Sequence, residues 1–245
     1  MNLSQLRTEL QVILPQPTVS YPESLLAFLN DEMSQLSYQF DLPALKLKRP
    51  ATLTTTTAEW LYSMSTDIVH PDGYQYQKMV FRATLPADDD SALNIYREIR
   101  IIDERDPDHD DSESFHSDIA VEDDAIAVYP LAANTINLWW FRKPIDMVND
   151  NDEPDGLPPE FHYRVLIPRV VLRCFKVWPE LGTEGGPQDS LRALQLWTNR
   201  LQAGLYGDGG QMGLLDSLRK SRPPRIRGAR TGSNLAGADR FSRWW

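Results

Sequence analysis

Cysteine is nearly missing from this 245-residue chain: Cys174 stands alone, so no intrachain disulfide staples the fold. It sits inside an apolar helical run, where a lone thiol packs as a small core side chain. Only His162 lies near it in sequence, which does not define a nucleophile. Also missing are a basic-then-apolar leader and any apolar run of ~18 residues, the length of a membrane span. The expectation is a protein made and kept in a reducing cytoplasm, with no membrane contact. Catalytic signatures are absent as well: there is no Gly-rich phosphate loop, nucleophile elbow or dinucleotide fingerprint.

The four histidines, His70, His109, His116 and His162, have no metal-ligand spacing and are expected at the surface or its boundary. Asp106, Asp108 and Asp110 open like a calcium loop. The sixth position is Asp111 where a glycine is needed, and the twelfth is Ser117 where a bidentate glutamate belongs. A solvated acidic loop over 103–118 is the reading. Carboxylates are plentiful, but nothing selects a pair for acid–base work. No catalytic residue, metal site or cofactor is assigned, and the chain reads as a non-enzyme.

What is present is uneven charge. Residues 217–245 hold Lys220 and seven arginines against Asp239, a tail of +7; with a total of −10, residues 1–216 stand at −17. Such a body repels a DNA duplex, whereas the tail seeks an acidic partner.

Leu3, Leu6, Leu10, Ile13 and Leu14 recur at helical spacing, with Asn2 or Ser4 as the cap and Pro15 as the stop. A second helix is expected over 23–40, with Leu25, Phe28, Leu29, Met33 and Leu36 on one face. After Pro50 the texture becomes β-branched and alternating. About six strands are expected to form an antiparallel sheet or sandwich; over 77–85, Met79, Phe81, Ala83 and Leu85 share a face. Residues 138–178 organise the rest. In Leu138–Pro144, Trp139 and Trp140 point to opposite faces, one toward helices and one toward a neighbouring sheet or subunit. An acidic connector (146–156) leads to a helix opened by Pro158 and Pro159. Ten of the fourteen residues from Val165 to Trp178 are apolar, so this helix should be covered on most sides. Pro168 removes the bond to the Arg164 carbonyl and interrupts it. Leu191, Leu194, Trp197, Leu201 and Leu205 mark a further helix.

The fold class is α+β. The parts are an N-terminal helical hairpin (1–50), an inserted β lobe (51–144), the connector and C-terminal helices (145–220), and a basic extended arm (221–245). Trp139, Trp140, Phe161, Leu172, Phe175, Trp178 and Trp197 are candidates for packing between subunits. Arg222, Arg225, Arg227, Arg230, Arg240, Phe241, Arg243, Trp244 and Trp245 are candidates for docking. Burying each tryptophan would contribute roughly 4–6 kcal/mol gross.

Leu3-Ser4-Gln5-Leu6-Arg7, Tyr21-Pro22-Glu23 and Leu29-Asn30-Asp31-Glu32 resemble the first helices of the head-to-tail adaptor proteins of tailed bacteriophages. Ile126-Ala127-Val128-Tyr129-Pro130 and Leu138-Trp139-Trp140-Phe141-Arg142-Lys143-Pro144 resemble their last strands. Leu157-Pro158-Pro159-Glu160-Phe161-His162 and the two helices after it resemble their C-terminal hairpin. The acidic insertions of the β lobe and the basic arm depart from that pattern. The resemblance implies a virion protein assembled in the host cytoplasm: a dodecameric ring in the neck, between the portal protein and a tail or nozzle protein. Genomic DNA would pass through it without specific binding, be retained after packaging and leave on ejection. The residues also admit an oligomeric protein- or glycan-binding module with a nucleic-acid-binding tail.

Overall fold

A computed structural model describes residues 1–14, 20–85, 97–102, 118–122, 125–129, 133–178, 181 and 187–220. Helix α1 (Leu3–Ile13) starts at Asn2, whose side chain accepts from the Gln5 N–H while the Gln5 side chain accepts from the Asn2 N–H. This reciprocal cap satisfies two donors that a helix start leaves orphaned. Helix α2 (Pro22–Gln39) begins on its proline and buries Leu25, Leu29, Met33 and Leu36, as its spacing predicts. Both helices lie against α3 (Ile167–Val177) rather than chiefly against each other.

Among the described residues, nine strands lie between α2 and α3: β1 (Ala51–Thr54), β2 (Leu61–Ser63), β3 (Ile68–Val69), β4 (Tyr76–Leu85), β5 (Arg97–Glu98), β6 (Arg100–Ile102), β7 (Asp118–Glu122), β8 (Ala125–Tyr129) and β9 (Thr135–Arg142). They make two sheets, ordered β3-β1-β9-β4-β5 and β2-β8-β7-β6. All pairs are antiparallel except β6 with β7, which is parallel. Leu53, Val80, Leu85, Leu138 and Trp140 of the first sheet meet Tyr62, Ile119, Ile126 and Val128 of the second in one core. The other face of the first sheet sends Phe141 and Phe81 into the helical core. The layers are therefore helices, sheet, sheet.

Two strand expectations are corrected. The alternation over 77–85 breaks because β4 shifts register against β9 at three places, leaving Met79 at φ 45. Met79 is consequently exposed while Val80 is buried. The second correction concerns β9. Trp140 lies in the sandwich core and Trp139 packs at that core's margin under the Arg82 guanidinium, 4.9 Å from its ring. The aromatic that reaches the helices is Phe141, edge-on to Phe81.

The long helix meets its proline by changing hydrogen-bond period. His162–Leu166 is a π turn, in which the Ile167 N–H donates to the His162 carbonyl, and α3 continues from it with Pro168 in its first turn. A π turn is a recognised way of absorbing such an interruption. The Arg164 carbonyl, which Pro168 deprives of a helical partner, faces Gly204 of helix α4 (Pro187–Tyr206). A Cβ there would stand 2.0 Å from that oxygen. The Arg164 side chain donates to the Met212 carbonyl at 3.0 Å, tying a small hairpin, β10 (Gly207–Asp208) and β11 (Gln211–Met212), to the turn. Helix α5 (Leu214–Lys220) follows.

Helices α2 and α3 run antiparallel and are joined by charge. Glu32, only 6% exposed, accepts from Arg169 Nε at 2.6 Å and Arg173 Nη1 at 3.4 Å. Arg169 also donates to Gln39 at 2.8 Å and Gln35 at 3.2 Å, and Arg173 to Asp31 at 2.7 Å. Arg173 covers Phe28, and Trp178 stacks on Tyr21. Removing either arginine would leave a poorly compensated buried carboxylate, which is costly. Where α2 ends, Lys78 donates to the Tyr38 and Phe40 carbonyls, both at 2.9 Å. Burial lowers its pKa although Asp41 pulls the other way.

His70 and His162 are buried, contrary to the expectation of surface or boundary positions. Each finds backbone partners, His70 at the Arg49 carbonyl and the Asp72 N–H. His162 Nε2 lies 2.9 Å from the Leu157 carbonyl and Nδ1 lies 3.0 Å from the Met1 α-amine, so Nε2–H donates and Nδ1 accepts. Burial lowers the His162 pKa, opposed by the Leu157 carbonyl and reinforced by the Met1 ammonium. Cys174 is buried, and burial pushes its thiol up to about 12, so it stays protonated.

Two outcomes are expected. Gly204→Ala should destabilise the protein by about 3 kcal/mol or more in urea unfolding, because backbone rather than a flexible side chain blocks the methyl group. For His162, the unfolded imidazole (pKa near ~6.5) binds its proton before the folded one. Stability is therefore complete above the unfolded value and lost as pH falls toward the lower folded one, by at most about 1.4 kcal/mol per pH unit. His162→Gln should show a correspondingly shallower slope as pH falls below about 6.5; equal slopes would refute the assignment.

Candidate functional site

The connector between β9 and the π turn was expected as an acidic loop, and three of its acids, Asp150, Asp152 and Asp155, are bound to specific donors. Arg142, at the end of β9, grips both carboxylate oxygens of Asp155, with Nη2–Oδ1 at 2.8 Å. The Ile145 N–H donates to Asp155 Oδ2 at 2.8 Å, and the Arg142 guanidinium lies 4.5 Å from the centre of the Tyr74 ring. Hydrogen bonding to Asp155 raises the Arg142 pKa further. Asp152 closes a turn by accepting from the N–H groups of Asn149 at 2.7 Å and Val148 at 2.8 Å, which hold its carboxyl below the usual range.

Backbone carbonyls of the same turn cap α1: Leu3 N–H donates to the Asp152 carbonyl at 2.8 Å and Ser4 N–H to that of Asp150 at 3.0 Å. Asn30 of α2 pairs with both backbone groups of Met147, whose side chain enters the helical core. Gly156 takes φ +82 with Leu45 so close that a Cβ would lie 2.5 Å from it. The connector thus fastens β9, α1 and α2 at one point. Outward it presents a cleft of about 620 Å³, lined by Ile145, 59% exposed, and Val148, 70% exposed, together with Asp146 and Glu153.

The packing candidates fall into two groups. Trp140, Phe161 and Trp197 are buried within the chain itself. Trp139, Leu172, Phe175 and Trp178 are half-buried at the margins of its cores. The arm candidates, Arg222, Arg225, Arg227, Arg230, Arg240, Phe241, Arg243, Trp244 and Trp245, lie outside the described residues, as does the acidic loop 103–117. Among the described residues, no group of three or more His, Cys, Asp or Glu comes together as a metal site, and no helix is long and apolar enough to cross a membrane.

Sequence reasoning missed the Glu32–Arg169–Arg173 cluster and the Arg142–Asp155 fork. The first had a signal: Glu32, Gln35 and Gln39 share one helix face, and Arg169 and Arg173 stand one turn apart on another. The second had none, because a loop acid carries no period.

No curated protein matches the chain. The family model described as SU10 adaptor protein matches residues 1–225, which takes in every helix and strand described above and leaves most of the arm outside. The chain belongs to the SU10 adaptor protein family, a family of bacteriophage structural adaptors.

Proposed function

We propose that the protein is a non-enzymatic ring in the phage neck, seated between the portal protein and a tail or nozzle protein. It extends the DNA channel, helps retain the packaged genome and opens for ejection. The family match over residues 1–225 carries this reading. Three features support it. The body carries −17 over residues 1–216, so DNA moving through a channel lined by it would slide without adhering. The end of α3 leaves Leu172, Phe175 and Trp178 partly uncovered and Val177 51% exposed, an apolar margin that neighbours in a dodecameric ring would cover. The arm from Arg222 joins arginines to Phe241, Trp244 and Trp245, a composition suited to insertion between portal subunits, where repetition around the ring multiplies weak contacts.

Deleting residues 222–245 should abolish binding to purified portal rings while leaving the circular dichroism of the body unchanged. Replacing Trp244 and Trp245 by alanine should weaken that binding by about a hundredfold or more. Portal assembly that proceeds normally with the truncated protein would refute the arm's role.

A further inference from the structure

A ring needs two different surfaces per subunit, one for each neighbour. Strand pairing is a poor way to supply them here. Among the described residues, the edge strands β2, β3, β5 and β6 are two or three residues long, and β4 is bulged at three places that do not pair with β5. Side-chain surfaces remain, and two of them match.

On α4, Arg192, Leu196 and Arg200 follow at intervals of four and form one row on the exposed side. Leu196 is 50% exposed, and the two arginines beside it are separated by about 12 Å along the axis. The Arg192 side chain is 79% exposed, with Asp189 at 3.7 Å; Arg200 is an exposed residue whose guanidinium lies 4.5 Å from the centre of the Trp197 ring. The connector cleft has the opposite charge: Ile145 and Val148 offer apolar surface, and Asp146 and Glu153 line the same cleft without an ion pair among the described residues. The other acids of the cleft are engaged, Asp155 by Arg142 and Asp152 by backbone N–H groups.

We propose that the connector cleft of one subunit receives the Arg192–Leu196–Arg200 row of a second copy of the chain, with Leu196 between Ile145 and Val148 and the arginines on Asp146 and Glu153. The inference rests on the ring reading and names the two faces that close it. Charge complementarity fixes the direction, since cleft against cleft and row against row both repel. The fork of Arg142 on Asp155 has a second consequence in this setting, because it holds the cleft in shape before a neighbour arrives.

The test is a charge exchange in the full chain, read as particle mass against concentration, with and without portal rings as a template. Asp146→Lys with Glu153→Lys reverses the cleft, and Arg192→Glu with Arg200→Glu reverses the row; all four sites are exposed, so both variants should keep the wild-type circular dichroism. Each alone should need about tenfold or more protein to assemble. An equal mixture should recover the wild-type midpoint, because alternating subunits restore an opposite-charge pair at every junction. Rings from either variant at the wild-type concentration would overturn the proposal. So would two failing variants whose mixture stays unassembled, or normal rings from the cleft variant that no longer bind the portal, which would assign the cleft to another protein. A wild-type chain that remains monomeric in both conditions would overturn the ring reading itself, and this inference with it.

Discussion

Helix α3 has to be covered on nearly every side, and the other helices and the first sheet are arranged to do it. Ile167, Val170, Val171 and Cys174 are fully buried, so the helix cannot exist as a surface element. Its polar flank is closed as well, because Arg169 and Arg173 turn toward α2 and share the carboxylate of Glu32. An apolar contact would stabilise the pair of helices in many registers. Two arginines on one buried acid, with Asp31, Gln35 and Gln39 taking the remaining donors, allow one register.

Pro168 shapes the rest. By removing one hydrogen bond it forces the π turn, and the freed Arg164 carbonyl then fits only against a glycine of α4. The Arg164 side chain reaches past it to the hairpin beyond α4. One proline thus fixes how α3, α4 and the hairpin sit together. The connector performs the same service at the opposite end of the π turn, where its backbone caps α1 and its Asp155 holds the end of β9. The acidity of this segment has a structural explanation at Asp150, paired with Arg7, and at Asp152 and Asp155, whereas Asp146 and Glu153 make no ion pair among the described residues.

Much of this was legible in the sequence, and the failures have physical causes. The leucine stripes of α1 and α2, a cap at Asn2 or Ser4 and the proline interruption were readable because each is a local rule with a fixed spacing. The α+β class followed from the change of period after Pro50. The face assignments in β4 were not readable, because a bulge changes parity without changing composition. Trp139 and Trp140 drew attention by size, yet the residue that crosses to the helices is Phe141. The parallel pairing of β6 with β7 and the donors that bind the connector acids depend on chain segments far apart in sequence. No local pattern announces them.

The central claim is that this body is one segment of a ring stacked on a portal. Electron microscopy of the full-length wild-type protein mixed with purified portal rings tests it most directly. The account predicts a second coaxial ring on one end of each portal, with a channel continuous through both. Bare portals beside well-ordered monomers, at concentrations above those of a phage-producing cell, would contradict it.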